Sequence, residues 1–180
     1  MKVFNFDVSF FQRYMKIRLT LALVIIFCTL AFGQSYQLHS VFIYSFTKYV
    51  QWPAEYDQGD FEITVLGDSP MLSELKKLSE IKKVGNRTIK VTKLGSSADI
   101  KKCNILFVPA DKSNQLSEVL AKIGSNSTLV ITEQAGMAAK GSAINFVIRD
   151  GKIAFELNQG AMTKQGLKAS TELTRLAILI

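Results

Sequence analysis

Two short, unbroken apolar runs, NILFVPA at 104–110 and STLVITE at 127–133, restrict the fold more than any other feature of the chain. A strand with one face in water alternates apolar and polar residues, whereas a run without polar interruption has both faces covered. Between the two runs, NQLSEVLAKIG (114–124) repeats its apolar residues at helical spacing and closes on Gly124. Strand, crossover helix and strand in that order form the unit of a parallel sheet packed between helices.

The flanking sequence extends the pattern. In FEITVLGDSP (61–70), Phe61, Ile63 and Val65 alternate before the chain breaks at Gly67 to Pro70, as a strand feeding a helix does. MLSELKKLSEI follows with Leu72, Leu75 and Leu78 at helical spacing. RTIKVTKL (87–94) keeps Ile89 and Val91 on one face and is interrupted by lysines, which predicts an outer, less buried strand. In SAINFVIRDGKIAFELN (142–158), two strand-like runs flank Asp150-Gly151, a two-residue hairpin signal because a type I′ turn needs positive φ at both positions. A closing helix is expected from Gly166, with Ala169, Leu173, Leu176 and Ile180 on one stripe. The predicted fold is a single three-layer α/β domain: a mostly parallel sheet with a C-terminal antiparallel hairpin and helices on both faces.

Residues 1–33 stand apart from that domain. MKIRLTLALVIIFCTLAFGQ (15–34) carries Lys16 and Arg18 ahead of a 14-residue apolar run, with small residues at Ala31 and Gly33. This is the layout of a cleaved secretory signal, and the run is shorter than the roughly 20 residues of a membrane-spanning helix. Export to the periplasm with cleavage after Gly33 is the expectation, and Met15 offers a second start. Phe27 ahead of Cys28 is too large for lipoprotein processing, so no lipid anchor is expected. Cleavage leaves residues 34–180 as the domain, with 18 basic and 14 acidic side chains, a balance of +4. The lysines occur in scattered pairs without aromatic neighbours, which reads as a solvated surface and not as a nucleic-acid track. Cys103 is the single remaining thiol and has no intrachain partner; it reads as a buried small hydrophobe, with a redox thiol as the alternative.

FTKYVQWP (46–53) sets three aromatic side chains and a lysine in eight residues. On a helical wheel from Tyr36, the residues Leu38, Val41, Phe42, Ser45, Tyr49 and Trp52 share a face that is expected to be core, and Pro53 forces the helix to end. Tyr44 and Ile43 then point away from that stripe and are candidate partner-binding residues.

Three blocks, VFIYSFTKYVQWP, FEITVLGDSP and GSAINFVIRDGKIAFELN followed by GLKASTELTRLA, occur here in an order and spacing that resemble the YfiR family of bacterial periplasmic proteins. The resemblance covers nearly all of residues 36–180. Its motif positions are Lys48, Tyr49, Trp52, Pro53, Glu156, Asn158 and Arg175. It implies a non-catalytic α/β domain that regulates signalling; well-known members bind the periplasmic part of an inner-membrane diguanylate cyclase and hold it inactive, tuning cyclic-di-GMP and biofilm formation. This chain departs from those members in having one mature Cys, so their disulfide-dependent behaviour is not carried over to it.

Catalytic chemistry finds little support. His39 is the sole histidine, so no His/Cys spacing suits a metal, and no GxSxG elbow or phosphate loop occurs. No cofactor is expected. Asp68, Asp111 and Glu133 follow predicted strands, where α/β sheets place their sites, but Asp68, Ser69 and Ser113 also suit helix caps. If both faces of the last hairpin strand are covered, Glu156 is buried and needs a donor, for which Lys48 and Arg175 are the candidates. The leading expectation is a periplasmic regulator that binds and represses a membrane signalling protein, either a diguanylate cyclase or a histidine kinase. A homodimer fits as well, and nucleic acid does not. The alternative is a small-molecule binding protein using the crevice beyond Gly67-Asp68, Pro109-Ala110 and Thr132-Glu133.

Overall fold

A computed structural model describes Arg18 and residues 36–180; the signal segment read in residues 1–33 otherwise lies outside the described residues. Residues 36–180 form one compact unit.

Its core is an eight-stranded sheet whose central strands are the unbroken runs. Helix α1 (36–49) leads into β1 (Val50–Gln51), β2 (Phe61–Leu66), α2 (Pro70–Ile81), β3 (Lys83–Val84) and β4 (Arg87–Leu94). Then come β5 (Ile105–Val108), α3 (Leu116–Ile123), β6 (Leu129–Thr132) and the hairpin β7 (Ile144–Arg149) with β8 (Lys152–Leu157). The chain closes with α4 (Gln159–Lys164), β9 (Lys168–Ala169), α5 (Thr171–Leu176) and β10 (Ile178–Leu179). The sheet order is β10-β8-β7-β6-β5-β2-β4-β3. From β7 through β4 the neighbours are parallel, whereas β8 runs antiparallel to β7 and β3 antiparallel to β4.

Alternate residues of the central strands feed two separate cores. Ile63, Ile105, Phe107, Leu129 and Ile131 pack with Ile43 and Phe46 of α1 and with Met71, Leu75 and Leu78 of α2. Leu66, Leu106, Val108 and Val130 face the other way, onto Leu116, Val119 and Ile123 of α3. A side chain of this size contributes about 1.5–3 kcal/mol when fully buried, so two-sided burial is what holds β5 and β6 at the centre. Strand β4 buries only Ile89 and lies one place from the edge, as its lysines require.

The local signals act as read. Ser69 caps α2, accepting from Met71 N at 3.2 Å, with Pro70 in the first turn. Gly124 ends α3 at φ 58°. Asp150 and Gly151 adopt φ 52° and 71°, giving the predicted hairpin with Arg149 opposite Lys152.

Two elements differ from the sequence reading. The stretch after Gly166 is not one helix. Lys168–Ala169 instead pairs antiparallel with Val50–Gln51, Ser170 starts the short α5 by accepting from Leu173 N, and Ile178–Leu179 adds a strand beside β8. Of the proposed stripe only Leu173 is buried; Leu176 and Ile180 are exposed. Backbone pairing with chain-distant strands outweighs the helical spacing there. Likewise α1 ends at residue 49, ahead of Trp52, because residues 50 and 51 belong to that same two-stranded pairing.

The second difference is the face of α1. His39, Ser40, Ile43, Phe46 and Val50 are buried, while Leu38 and Val41 are 46% and 50% exposed. The core stripe is turned by roughly a third of a turn from the predicted one. Apolar residues surround this helix on most sides, so hydrophobicity fixes no centre, and a histidine occupies the buried face.

Candidate functional site

Three polar constellations and one exposed helix face surround the residues that the sequence singles out. The first is built where α1 hands over to the sheet. Trp52 donates from Nε1 to the Asn104 carbonyl at 3.2 Å and meets the Phe61 ring edge-on at 5.3 Å. Pro53 opens a single turn, Ala54–Tyr56, whose Tyr56 hydroxyl accepts from Ser127 N at 2.8 Å. Asn104 joins these parts: its Oδ1 accepts from Glu62 N at 2.9 Å and from Arg87 at 3.4 Å. Arg87 spends further donors on the carbonyls of Gly59 and Asp60, and its guanidinium lies over Phe61. Tyr49 contributes through its backbone, accepting from Ser170 N at 2.8 Å. The Trp-Pro exit is therefore a structural latch. Sequence reading missed Asn104 and Arg87; the available signal was one amide opening an otherwise apolar run.

The second constellation is buried between β6, β7 and β8. The Thr132 hydroxyl lies 2.9 Å from Ser142 Oγ and 2.7 Å from Asn145 Oδ1, and Asn145 Nδ2 donates to Glu156 Oε2 at 2.8 Å. Glu156 is thus half-buried and satisfied, but by an amide. The expected partners are not the ones used: Lys48 is exposed and lies over the Tyr44 ring at 5.1 Å, and Arg175 is exposed on α5. The register of the hairpin places Asn145 directly opposite Glu156. Two residues on, Asn158 caps α4, accepting from Ala161 N and donating to the Ala138 carbonyl, each at 2.8 Å.

The third lies at the strand ends where a ligand crevice was expected. There Glu133 is held by the protein's own groups. Glu133 Oε1 accepts from the Tyr36 hydroxyl and from Ala110 N, each at 3.1 Å. Burial raises the Glu133 carboxyl, the bonds from Ala110 and Tyr36 opposing it, and burial beside Glu133 pushes Tyr36 up to about 12. Asp68 pairs with Lys93 and not with a helix end, and Ser113 donates to the Ala110 carbonyl inside a turn. Among the described residues, no group of three His, Cys, Asp or Glu is arranged to hold a metal ion.

The profile of the YfiR/HmsC-like family (DUF4154) matches residues 36–178. The chain belongs to the YfiR/HmsC-like family. No curated protein matches it. For a YfiR/HmsC-like protein, membership fits a regulator of cyclic-di-GMP signalling in general terms. Of the two proposed anchors, Ile43 is fully buried against the sheet and offers no surface. Tyr44 is half-buried, its hydroxyl donating to the Lys83 carbonyl at 3.1 Å. The free face of this YfiR/HmsC-like helix instead carries Leu38, Val41 and Lys48, with Ser45 between them tied to the Val41 carbonyl. Among the described residues, no helix is long and apolar enough to cross a membrane.

Proposed function

We propose that the protein is exported to the periplasm, where it binds and represses the extracytoplasmic domain of an inner-membrane signalling protein such as a diguanylate cyclase. The observation that carries this reading is the family match over residues 36–178. The outer face of α1 supplies the docking surface. Leu38 and Val41 are large apolar side chains at helical spacing, about half exposed, and Tyr44 borders them. Apolar anchors in a desolvated centre carry most of an interface's energy. Lys48 at the end of that face adds a charge whose effect falls mainly on association rate.

The experiment is calorimetric titration of the mature protein with the sensor domain encoded nearest to its gene. Leu38→Asp with Val41→Asp should weaken binding by more than tenfold, with Tyr44→Ala weakening it less and the melting temperature unchanged in both. N-terminal sequencing of periplasmic protein checks export and should begin at Gln34. A double variant that binds like wild type removes the α1 surface; a wild type that binds no diguanylate cyclase or histidine kinase sensor domain removes the regulatory reading.

A further inference from the structure

Helix α1 is fastened differently at its two ends. Its last residue and the two that follow are held through the backbone: the Tyr49 carbonyl accepts from Ser170 N at 2.8 Å, and Val50–Gln51 pairs with Lys168–Ala169. Among the described residues, no backbone bond joins residues 36–42 to another element. Side-chain contacts hold those two turns to the sheet. The Tyr36 hydroxyl donates to Glu133 at 3.1 Å, the His39 ring lies 4.3 Å from that of Phe146, and Phe42 lies 6.2 Å from the same ring. Backbone pairing does not titrate near neutral pH, whereas a histidine contact does.

His39 is the sensitive contact. It is 7% exposed and its Nδ1 has no partner, so a proton added there creates a buried charge and a donor without an acceptor. The groups around it supply no counter-charge. On α1 its titratable neighbour is Tyr36, and β7 opposes it with Phe146. Glu133 and Asp111, the carboxyls on that side, act on Tyr36. Glu156 of β8 is bonded to Asn145, which alternates with Phe146 and so faces the other side of the sheet, and Arg149 and Lys152 are exposed beside the hairpin turn. Burial is the cause that depresses the His39 ring, to about 4 from 6.5. Lifting the first two turns returns that ring to water. Leu38 and Val41, about half exposed, ride on the same turns.

We propose that residues 36–42 form an acid-released strap: seated on the sheet at neutral pH, they lift in mild acid about the fixed end of α1 and break up the apolar docking face. The consequence for docking rests on the α1 surface proposed above, whereas the release does not. A ring that is neutral when seated and free to titrate when lifted makes lifting about twentyfold easier at pH 5 than at pH 7. Glu133 opposes part of this, because burial raises its carboxyl and acid then favours the seated form. Comparison with a variant lacking His39 isolates the histidine.

The test is amide hydrogen exchange of protein made to begin at Gln34, read as protection factors at pH 7 and pH 5 for wild type, His39→Phe and Tyr36→Phe. Residues 40–43 report the strap and β5 the global fold. At pH 5, wild-type residues 40–43 should be at least tenfold less protected than β5. From pH 7 to pH 5 their protection should fall about twentyfold more in wild type than in His39→Phe. Tyr36→Phe removes the bond to Glu133 and leaves His39 in place. It should lower protection of residues 40–43 at least threefold at both pH values and keep the wild-type fall, which tests the strap whether or not His39→Phe folds. The proposal is overturned if residues 40–43 and β5 are equally protected at pH 5, if wild type and His39→Phe lose protection alike, or if Tyr36→Phe abolishes the fall. A sensor domain that fails to bind at pH 7 overturns the docking reading alone, because release is read on the free protein.

Discussion

His39 shows at the residue scale how one polar side chain in a core ties stability to pH. Its ring lies 4.3 Å from Phe146 and meets Tyr36 edge-on at 5.8 Å, and its Nδ1 has no partner. Burial pushes it down to about 4 from an ordinary 6.5. Between those values the unfolded chain holds a proton that the folded one lacks, so stability from the neutral ring is complete above pH 6.5 and is lost as pH falls towards 4. Glu133, raised by burial, acts in the opposite sense, its contribution fading as pH rises. Chemical denaturation of wild type and His39→Phe between pH 4 and 7 separates the two. Wild type should lose on the order of 2 kcal/mol more than the variant on going down that range. Parallel curves would mean that His39 titrates in the fold as it does in water. None of this was legible in the sequence, where a lone histidine between leucine and serine gives no sign of which way it faces.

For the elements, α1 is the instructive case. Its apolar residues surround the axis so widely that the wheel admits several core faces, and the sheet decides between them. Substitution reports the outcome directly. Ile43→Ala leaves a hole against Phe46 and the central strands and should cost about 2–5 kcal/mol, whereas Val41→Ala, on the free face, should change stability by less than about 0.5 kcal/mol. Urea midpoints of the two variants provide the check, and a reversed order would restore the predicted face. The hairpin was legible for the opposite reason: Asp150-Gly151 is a local signal that needs no partner. The C-terminal stretch was not, because β9 and β10 are two residues each and exist only through pairing with distant chain. The candidate sites divide in the same way. The Trp52-Pro53 exit could be read from neighbours in sequence, but its bond to Asn104 and the amide opposite Glu156 arise from contacts across the fold.

At the scale of the whole molecule, the sheet was predictable because two-sided burial writes itself into unbroken apolar runs, and the same two-sidedness encloses Cys103. The thiol belongs to the α3-side core, is 4% exposed, and is pushed up to about 11 by burial. It should therefore react as an inert core residue does. In protein made to begin at Gln34, where Cys103 is the only thiol, alkylation at pH 8 should run slower than for an unfolded chain by roughly a thousandfold or more. Urea should accelerate it along the global unfolding transition. Fast labelling of native protein would reveal a local opening on that face. The β1–β9 pairing carries a different consequence. It fastens the end of α1 to residues 168 and 169, with Ser170 N bonded to the Tyr49 carbonyl. A polypeptide made from its N-terminus must carry the end of α1 unfastened until residues 168 and 169 emerge. The strands that cover Ile43 and Phe46 are complete before then, so a newly made copy seats its first helix by side-chain packing and only afterwards ties its end down through the backbone.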